Sequence, residues 1–216
     1  LMPEEVTVAQ RIDQALGAGG LTLAAPWVRR ASAAGDAARL GVLLPLSGPL
    51  ASLGNDVRRG FELAMQFVNE DGGVFGQDVE LVTVDVPSST EATSQATRLI
   101  TSERVGVVMG SYASSISFAA SQVAERNKVV YFEQGAVADD ITSRGFKHLF
   151  RFIYPASELG GGAAKFTLDD VLPRIGMSAG DVKVALLYED SFYGTAVGEG
   201  ARKVLQEAGV NIVDDT

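Results

Sequence analysis

The sequence predicts an α/β protein of doubly wound parallel sheets arranged as two lobes, and three observations carry that reading. Short apolar runs recur from residue 39 onward. Between them lie stretches with apolar residues at three-to-four spacing, the mark of amphipathic helices. Gly, Pro, Ser and Asn punctuate the boundaries. Strands separated by helices of this length form βαβ units, so the strands run parallel beneath helices on both faces.

The elements follow in order. Residues 39–46 (RLGVLLPL) read as a buried strand closed by Ser47, Gly48 and Pro49. A helix is predicted from about Asn55 to Glu70, with Val57, Phe61, Ala64, Met65 and Val68 on one face and Gly72-Gly73 as its stop. Residues 79–86 form the second strand and 91–102 the second helix. The third strand, 105–109, leads through Gly110 into Ser111-Tyr112-Ala113, where Ser114 stands at the N-cap of a helix reaching Asn127. The fourth strand is 128–133. With the common order that places strand one between strands two and three, the sheet reverses there, and ligands bind at such a reversal. Loop 47–54 is thereby predicted to lie beside loop 110–114.

A composition boundary falls at Tyr154-Pro155-Ala156-Ser157, after the strand-like run 147–153. The expected organisation is a first lobe over 39–153, a hinge at 154–157 and the start of a second lobe over 158–216. That second lobe holds a helix from Glu158 to Val171, a strand at 182–188, a helix from Gly194 to Ala208 and a strand from Val210. With one and a half βα units, it is expected to be truncated at Thr216.

Residues 1–38 differ from the rest. Residues 15–28 (ALGAGGLTLAAPWV) are apolar and too short to span a bilayer, and Ala31-Ser32-Ala33 is a small-residue cleavage pattern, so the segment reads as a degraded or mis-started export signal in preference to an ordinary amphipathic N-terminal helix. An arginine pair is absent before it, where only Arg11 stands among Glu4, Glu5 and Asp13. The mature chain is expected to begin near Ala34 and to work outside the cytoplasm.

Composition excludes several kinds of chemistry. Lys and Arg total 18 against 27 Asp and Glu, a net charge of -9 that repels nucleic acid and anionic lipid. There is no cysteine, hence no disulfide, thiolate site or lipid-bearing N-terminal cysteine. The one histidine, His148, reads as a strand-borne surface residue, which leaves no multi-histidine metal site. The glycines at 160–162 lack the flanking strand, lysine and hydroxyl of a phosphate loop, and no HExxH, GxSxG or dinucleotide fingerprint is present. Asp169-Asp170 and Asp214-Asp215 read as charged surface turns. A binding protein is expected, with no catalytic residue, metal or cofactor.

Loop 110–115 is the most informative segment. A helix N-terminus offers free N–H groups and partial positive charge, to which Ser114 and Ser115 add hydroxyls, so a carboxylate or amide oxygen would be held well there. The residues alone leave open whether Ser114 does this or merely caps the helix. Tyr112 could wall the pocket or donate through its hydroxyl. After strand four, Gly135, Ala136 and Val137 allow close approach to the backbone. Glu133 could meet an ammonium group or be a solvated strand-end acid, and Asp139-Asp140 suit the first turn of a short helix. In Tyr188-Glu189-Asp190-Ser191-Phe192-Tyr193, aromatic groups reach the same carboxyl edge from the second lobe.

Several stretches in order resemble the leucine/isoleucine/valine-binding class of periplasmic receptors, the type 1 solute-binding fold. They are GVLLPLSGPLASLG, NEDGGVFGQDVELVTVD, VVMGSYASS, ITSRGFKHLFR and LLYEDSFYGTAVGEGARKVLQEAGV, spread over residues 39–214. The resemblance implies two flavodoxin-like lobes closing on a small ligand, which is delivered to an ABC-type membrane permease. It implies that Ser114 binds the polar head, that Gly135 gives a backbone contact and that Tyr193 is the second lobe's aromatic contribution. Tyr112-Ala113-Ser114 resembles the tyrosine-x-serine of amide-binding relatives. Val137 departs from the threonine of amino-acid binders, and Leu53 stands where some members carry tyrosine. The expected protein is a soluble periplasmic monomer, neither lipid-anchored nor membrane-inserted, that takes an amino acid, an amide or a related small acid. The alternative is a ligand-sensing receptor domain of the same fold. An α/β enzyme would require a catalytic constellation that these residues do not supply.

Overall fold

The computed structural model describes residues 38–216. The segment read as an export signal, with its cleavage pattern at 31–33, lies outside the described residues. Seven strands and five principal helices alternate: β1 (Ala38–Leu44), α1 (Ala51–Glu70), β2 (Val79–Asp85), α2 (Ser89–Thr97), β3 (Val107–Gly110), α3 (Ser114–Asn127), β4 (Val130–Glu133), β5 (Leu149–Arg151), α4 (Ala156–Phe166), β6 (Lys183–Leu186), α5 (Phe192–Glu207) and β7 (Asn211–Asp215). Both sheets are parallel, as the alternation predicts: five strands in the order β2-β1-β3-β4-β5, and the pair β6-β7.

The central position of β1 follows from its residues. Val42, Leu43 and Leu44 are fully buried, so the strand needs cover on both faces and neighbours on both edges. Gly41 lets β1 pass close to the β2–β3 side of the core, since a Cβ there would sit 2.9 Å from Val105 Cγ2. The main core lies between the sheet and helices α2 and α3, where Leu43, Leu99, Val108, Ile116, Ala120 and Tyr131 interlock. The strand order reverses between β1 and β3, as predicted, which brings the loops after these strands side by side at one sheet edge.

Helix boundaries differ from the sequence expectations in instructive ways. Helix α1 starts at Ala51, four residues early, because the Ser47–Pro49 turn is tight and Gly54 must already be helical to fit. A Cβ on Gly54 would lie 1.9 Å from the Pro45 carbonyl oxygen. Helices α2 and α4 each run on into a π turn, Arg98–Ser102 and Thr167–Val171, the second followed by a short turn at Leu172–Arg174. Three-to-four spacing cannot register that extra residue per turn.

Beyond residues 152–155 the chain builds its second α/β unit. Helices α4 and α5 cross in close contact because glycines stand at the crossing. A Cβ on Gly160 would meet the Val197 carbonyl at 1.9 Å, and one on Gly200 the Ser157 carbonyl at 2.5 Å. This accounts physically for two of the glycines in and opposite the 160–162 run. Asp215 is not in a surface turn, as the sequence reading has it, but ends β7: its carboxylate accepts from Arg202 and from the Tyr188 hydroxyl, the latter at 2.9 Å. The Arg202 guanidinium holds that carboxyl below its ordinary range. His148 sits just before β5, partly buried, with Nδ1 3.2 Å from the Glu125 carboxylate.

Candidate ligand-binding cleft

The carboxyl ends of β1, β3, β4 and β6 open on one cleft of about 600 Å³, within the range of small-molecule sites. Of the residues singled out in the sequence, Leu53, Tyr112, Ser114, Ser115, Gly135, Ala136, Val137 and Tyr193 all line it. Glu133 does not.

The floor is built by the loop between β3 and α3. Ala113 adopts φ 88° and ψ 121°, a conformation rare for a residue with a side chain, and turns the chain sharply into the helix. Ser114 is the first residue of α3 and not its N-cap, which corrects the simpler of its two sequence readings. No side chain caps this helix, and Ala113, Ser114 and Ser115 at its start line the cleft. The Ser114 side chain is 2 % exposed and accepts the Ala138 N–H at 3.2 Å, which ties α3 to the loop after β4. Its own hydroxyl hydrogen remains available to donate.

The loop after β4 forms the adjoining wall. Gly135 packs so closely on the β3 loop that a Cβ would sit 3.0 Å from the Ser111 carbonyl oxygen. Val137 is 5 % exposed and turns its carbonyl outward, to the Arg151 guanidinium at 3.0 Å and the Ala156 N–H at 2.7 Å. Asp139 opens the short helical turn Asp139–Ile141, as expected, and also receives the Ser157 N–H (2.9 Å) and hydroxyl (2.6 Å), joining that turn to the start of α4.

Glu133 matches neither sequence reading, because it is 0 % exposed and lies beneath the two loops. Its Oε1 accepts the N–H groups of Gly135 and Ala136, both at 2.7 Å. The Ser111 N–H points to Ser117 Oγ at 2.9 Å and to the two Glu133 oxygens at 3.2 and 3.1 Å. Burial raises its pKa to about 7, outweighing the hydrogen bonds from Ala136, Ser117, Gly135 and Ser111 that favour the charged form. The Gly135 N–H is thus engaged by this carboxylate, and the backbone contact expected of Gly135 would fall to its other backbone atoms.

The remaining walls are mainly apolar and aromatic. Leu50, Ile153, Tyr154 and Leu159 face the cleft together with Phe192 and Tyr193 at the start of α5. Phe192 also meets Phe118 of α3 edge-to-face, with centroids 5.2 Å apart. On its other side Phe118 carries the Arg144 guanidinium, 4.0 Å from the ring centroid. Ser191 caps α5 by accepting the Gly194 N–H at 2.9 Å, and its hydroxyl bonds the Glu189 carboxylate, the only ionisable carboxylate in the cleft wall. Leu50, Ile153 and Leu159 carry no chemical signal that would distinguish them in sequence from ordinary core residues. Among the described residues no helix is long and apolar enough to cross a membrane, and no three acidic or histidine side chains gather as a metal site.

Two parallel-sheet units whose carboxyl edges share one cleft define the class of bilobal α/β binding proteins. The chain belongs to the periplasmic binding protein family, whose model matches residues 37–216. It is 40% identical over 193 residues to Leu/Ile/Val-binding protein homolog 7 of Brucella abortus, covering 89% of this chain and 48% of that protein. The chain thus spans about half the length of the curated relatives it matches. Among solved structures it is similar to the branched-chain amino acid transporter substrate binding protein LivJ of Streptococcus pneumoniae in complex with isoleucine, at TM-score 0.71 and 27% identity over 83% of this chain and 49% of that one. It is also similar to an ABC transporter solute binding protein of R. palustris in complex with benzoate, at TM-score 0.73 and 26% identity over 83% of this chain and 48% of the other.

Proposed function

We propose that this chain is the ligand-holding part of an extracytoplasmic solute receptor that hands its cargo to an ABC-type membrane permease. The cargo is a small molecule with a carboxylate or amide head and an apolar body, the branched-chain amino acid class first. One observation carries this reading: the cleft has a polar end lined by hydroxyls and N–H groups of the first unit and walls that are otherwise mainly apolar and aromatic, with Glu189 and Ser191 of the second unit the polar exceptions. At the polar end stand the uncapped N-terminus of α3, Ser114, Ser115 and Tyr112. No basic side chain lines the cleft. An anionic head would therefore be held by backbone N–H groups, the helix dipole and hydroxyls, which suit a single carboxylate better than a phosphate. Leu53, Ile153, Leu159 and the aromatic pair Phe192-Tyr193 would cover the body, and Tyr193 at 40 % exposure is free to close on it. The hydroxyl–carboxylate pair Ser191–Glu189 in the cleft wall serves the start of α5, where Ser191 accepts the Gly194 N–H, and the reading is capture and release of the ligand. Two relatives' ligands, isoleucine and benzoate, share this head-and-body form.

Calorimetric titration and thermal melting of the 216-residue chain with L-leucine, L-isoleucine, L-valine, benzoate and acetamide test the proposal. At a hundredfold excess over Kd a bound member stabilises the fold by about 2.7 kcal/mol, a shift of several degrees in Tm. A chain that melts identically with all five would contradict it.

A further inference from the structure

Glu133 is a buried carboxylate that touches no ligand surface, yet its partners are drawn from both loops that form the polar end of the cleft. On one side its Oε1 holds Gly135 and Ala136, two wall residues, each at 2.7 Å. On the other its oxygens lie 3.1 and 3.2 Å from the N–H of Ser111, the residue that leads into Tyr112, Ala113 and Ser114. We propose that Glu133 is a positioning residue for the cleft: its carboxylate clasps the two head-group loops from beneath, and adding a proton to it slackens them. The clasp itself stands on these contacts alone; its effect on affinity rests on the ligand-binding reading given above.

The geometry accounts for the pH dependence. Hydrogen bonds to an ionised carboxylate are about twice as strong as those to a neutral acceptor. Both Gly135 and Ala136 converge on a single oxygen, which is favourable while that oxygen carries charge. The charged and titratable groups around the carboxylate are few. Tyr131 lies on the same strand, its hydroxyl 3.1 Å from Ser117 Oγ, and Arg144 acts on it from the loop before β5. Arg151 is the register partner of Glu133 on β5, with its guanidinium turned to the Val137 and Ala138 carbonyls. Ser111 in the loop after β3 and Ser117 of α3 face it, neither of them titratable in this range. Burial brings the Glu133 carboxyl to about 7, so the clasp changes state within the ordinary pH range of a cell exterior.

The test begins without ligand. In the wild-type chain, the amide resonances of Gly135 and Ala136 should titrate together between pH 5.5 and 8.5, and the exchange protection of both, the measured hydrogen-exchange rate relative to that of an open amide at the same pH, should be weaker at the acid end. In Glu133→Gln, which keeps a neutral acceptor in place, that titration should vanish and the weaker acid-end protection should hold at every pH. Amides of Gly135 and Ala136 that ignore pH in wild type, or that titrate unchanged in the variant, would overturn the clasp. Zwitterionic L-leucine is the probe for its consequence: wild-type affinity should fall about tenfold from pH 8.5 to 5.5, the scale of one charge-assisted hydrogen bond, and Glu133→Gln should bind at the weaker level throughout. Affinity that rises on acidification would mean that the charge acts on the ligand and not on the loops, and would overturn the positioning role. Amides that titrate as described in a chain that binds no leucine would leave the clasp standing and count against the ligand-binding reading instead.

Discussion

At the scale of single residues, the cleft rests on groups with two jobs. Ser114 accepts the Ala138 N–H and still has a hydrogen to donate into the cleft. Ser114→Ala removes both. The lost acceptor leaves a buried N–H unpaired, so the fold should weaken by about 1–3 kcal/mol, and affinity for the ligand should weaken by a similar amount. Urea unfolding and calorimetry below the melting range separate the two losses, and an unchanged affinity in folded protein would remove Ser114 from the site. Glu133 shows the opposite balance. Its folded pKa of about 7 lies above the ordinary 4.5, so between these values the folded state binds more protons than the unfolded. Its contribution to stability is therefore present below pH 4.5 and is lost as pH rises through 7, by about 3 kcal/mol in all. Glu133→Gln should flatten that part of the curve and be the more stable protein at pH 8. Equal stability of the two proteins across pH 4–8 would contradict the burial assigned here. A group that costs stability when charged, and organises a cleft by being charged, is the kind of local concession that functional sites make. Ser114, Gly135 and Tyr193 were legible as cleft residues mainly through the resemblance to the Leu/Ile/Val-binding class, since a serine at a helix start serves as readily for capping as for contact. Sequence reasoning misplaced Glu133 because strand alternation says which face a residue points to, not whether loops will fold over it.

At the scale of elements, the parallel strands were legible from apolar runs alternating with helical spacing, and their order from the arrangement common to such sheets. The helix ends were not, since the competing signals are tertiary. Gly54 is helical because it must approach Pro45, and the π turns after α2 and α4 insert a residue that no periodicity announces. The α4–α5 crossing gives a clean test of such a tertiary signal. Gly160→Ala should destabilise the chain by about 3 kcal/mol, because a methyl group 1.9 Å from the Val197 carbonyl oxygen forces the helices apart. Gly162→Ala, with nothing within 4 Å of the added carbon, should instead gain about 0.5–1 kcal/mol of helix propensity. Denaturant midpoints of the two variants should fall on opposite sides of wild type. If both shift the same way, the glycines do not serve the crossing.

At the scale of the whole molecule, the account joins two parallel-sheet units through one cleft. The contact between α3 and α5 is made where Phe192 meets Phe118, and the same ring lines the cleft. An occupant of the cleft would therefore touch both units at once, which is the physical requirement for binding energy to favour a closed arrangement. The two-unit plan could be anticipated from the break at Tyr154-Pro155, but not the aromatic contact, which depends on how the second unit is turned against the first. The central claim is that a small ligand binds at the carboxyl edges, with its head against the start of α3. It is tested most directly by following the backbone amide resonances of the 216-residue chain during titration with L-leucine and, separately, benzoate. The account predicts saturable shifts concentrated at Tyr112–Ser115, Gly135–Val137 and Ser191–Tyr193. Saturable shifts that leave these three segments unmoved while others respond would contradict it.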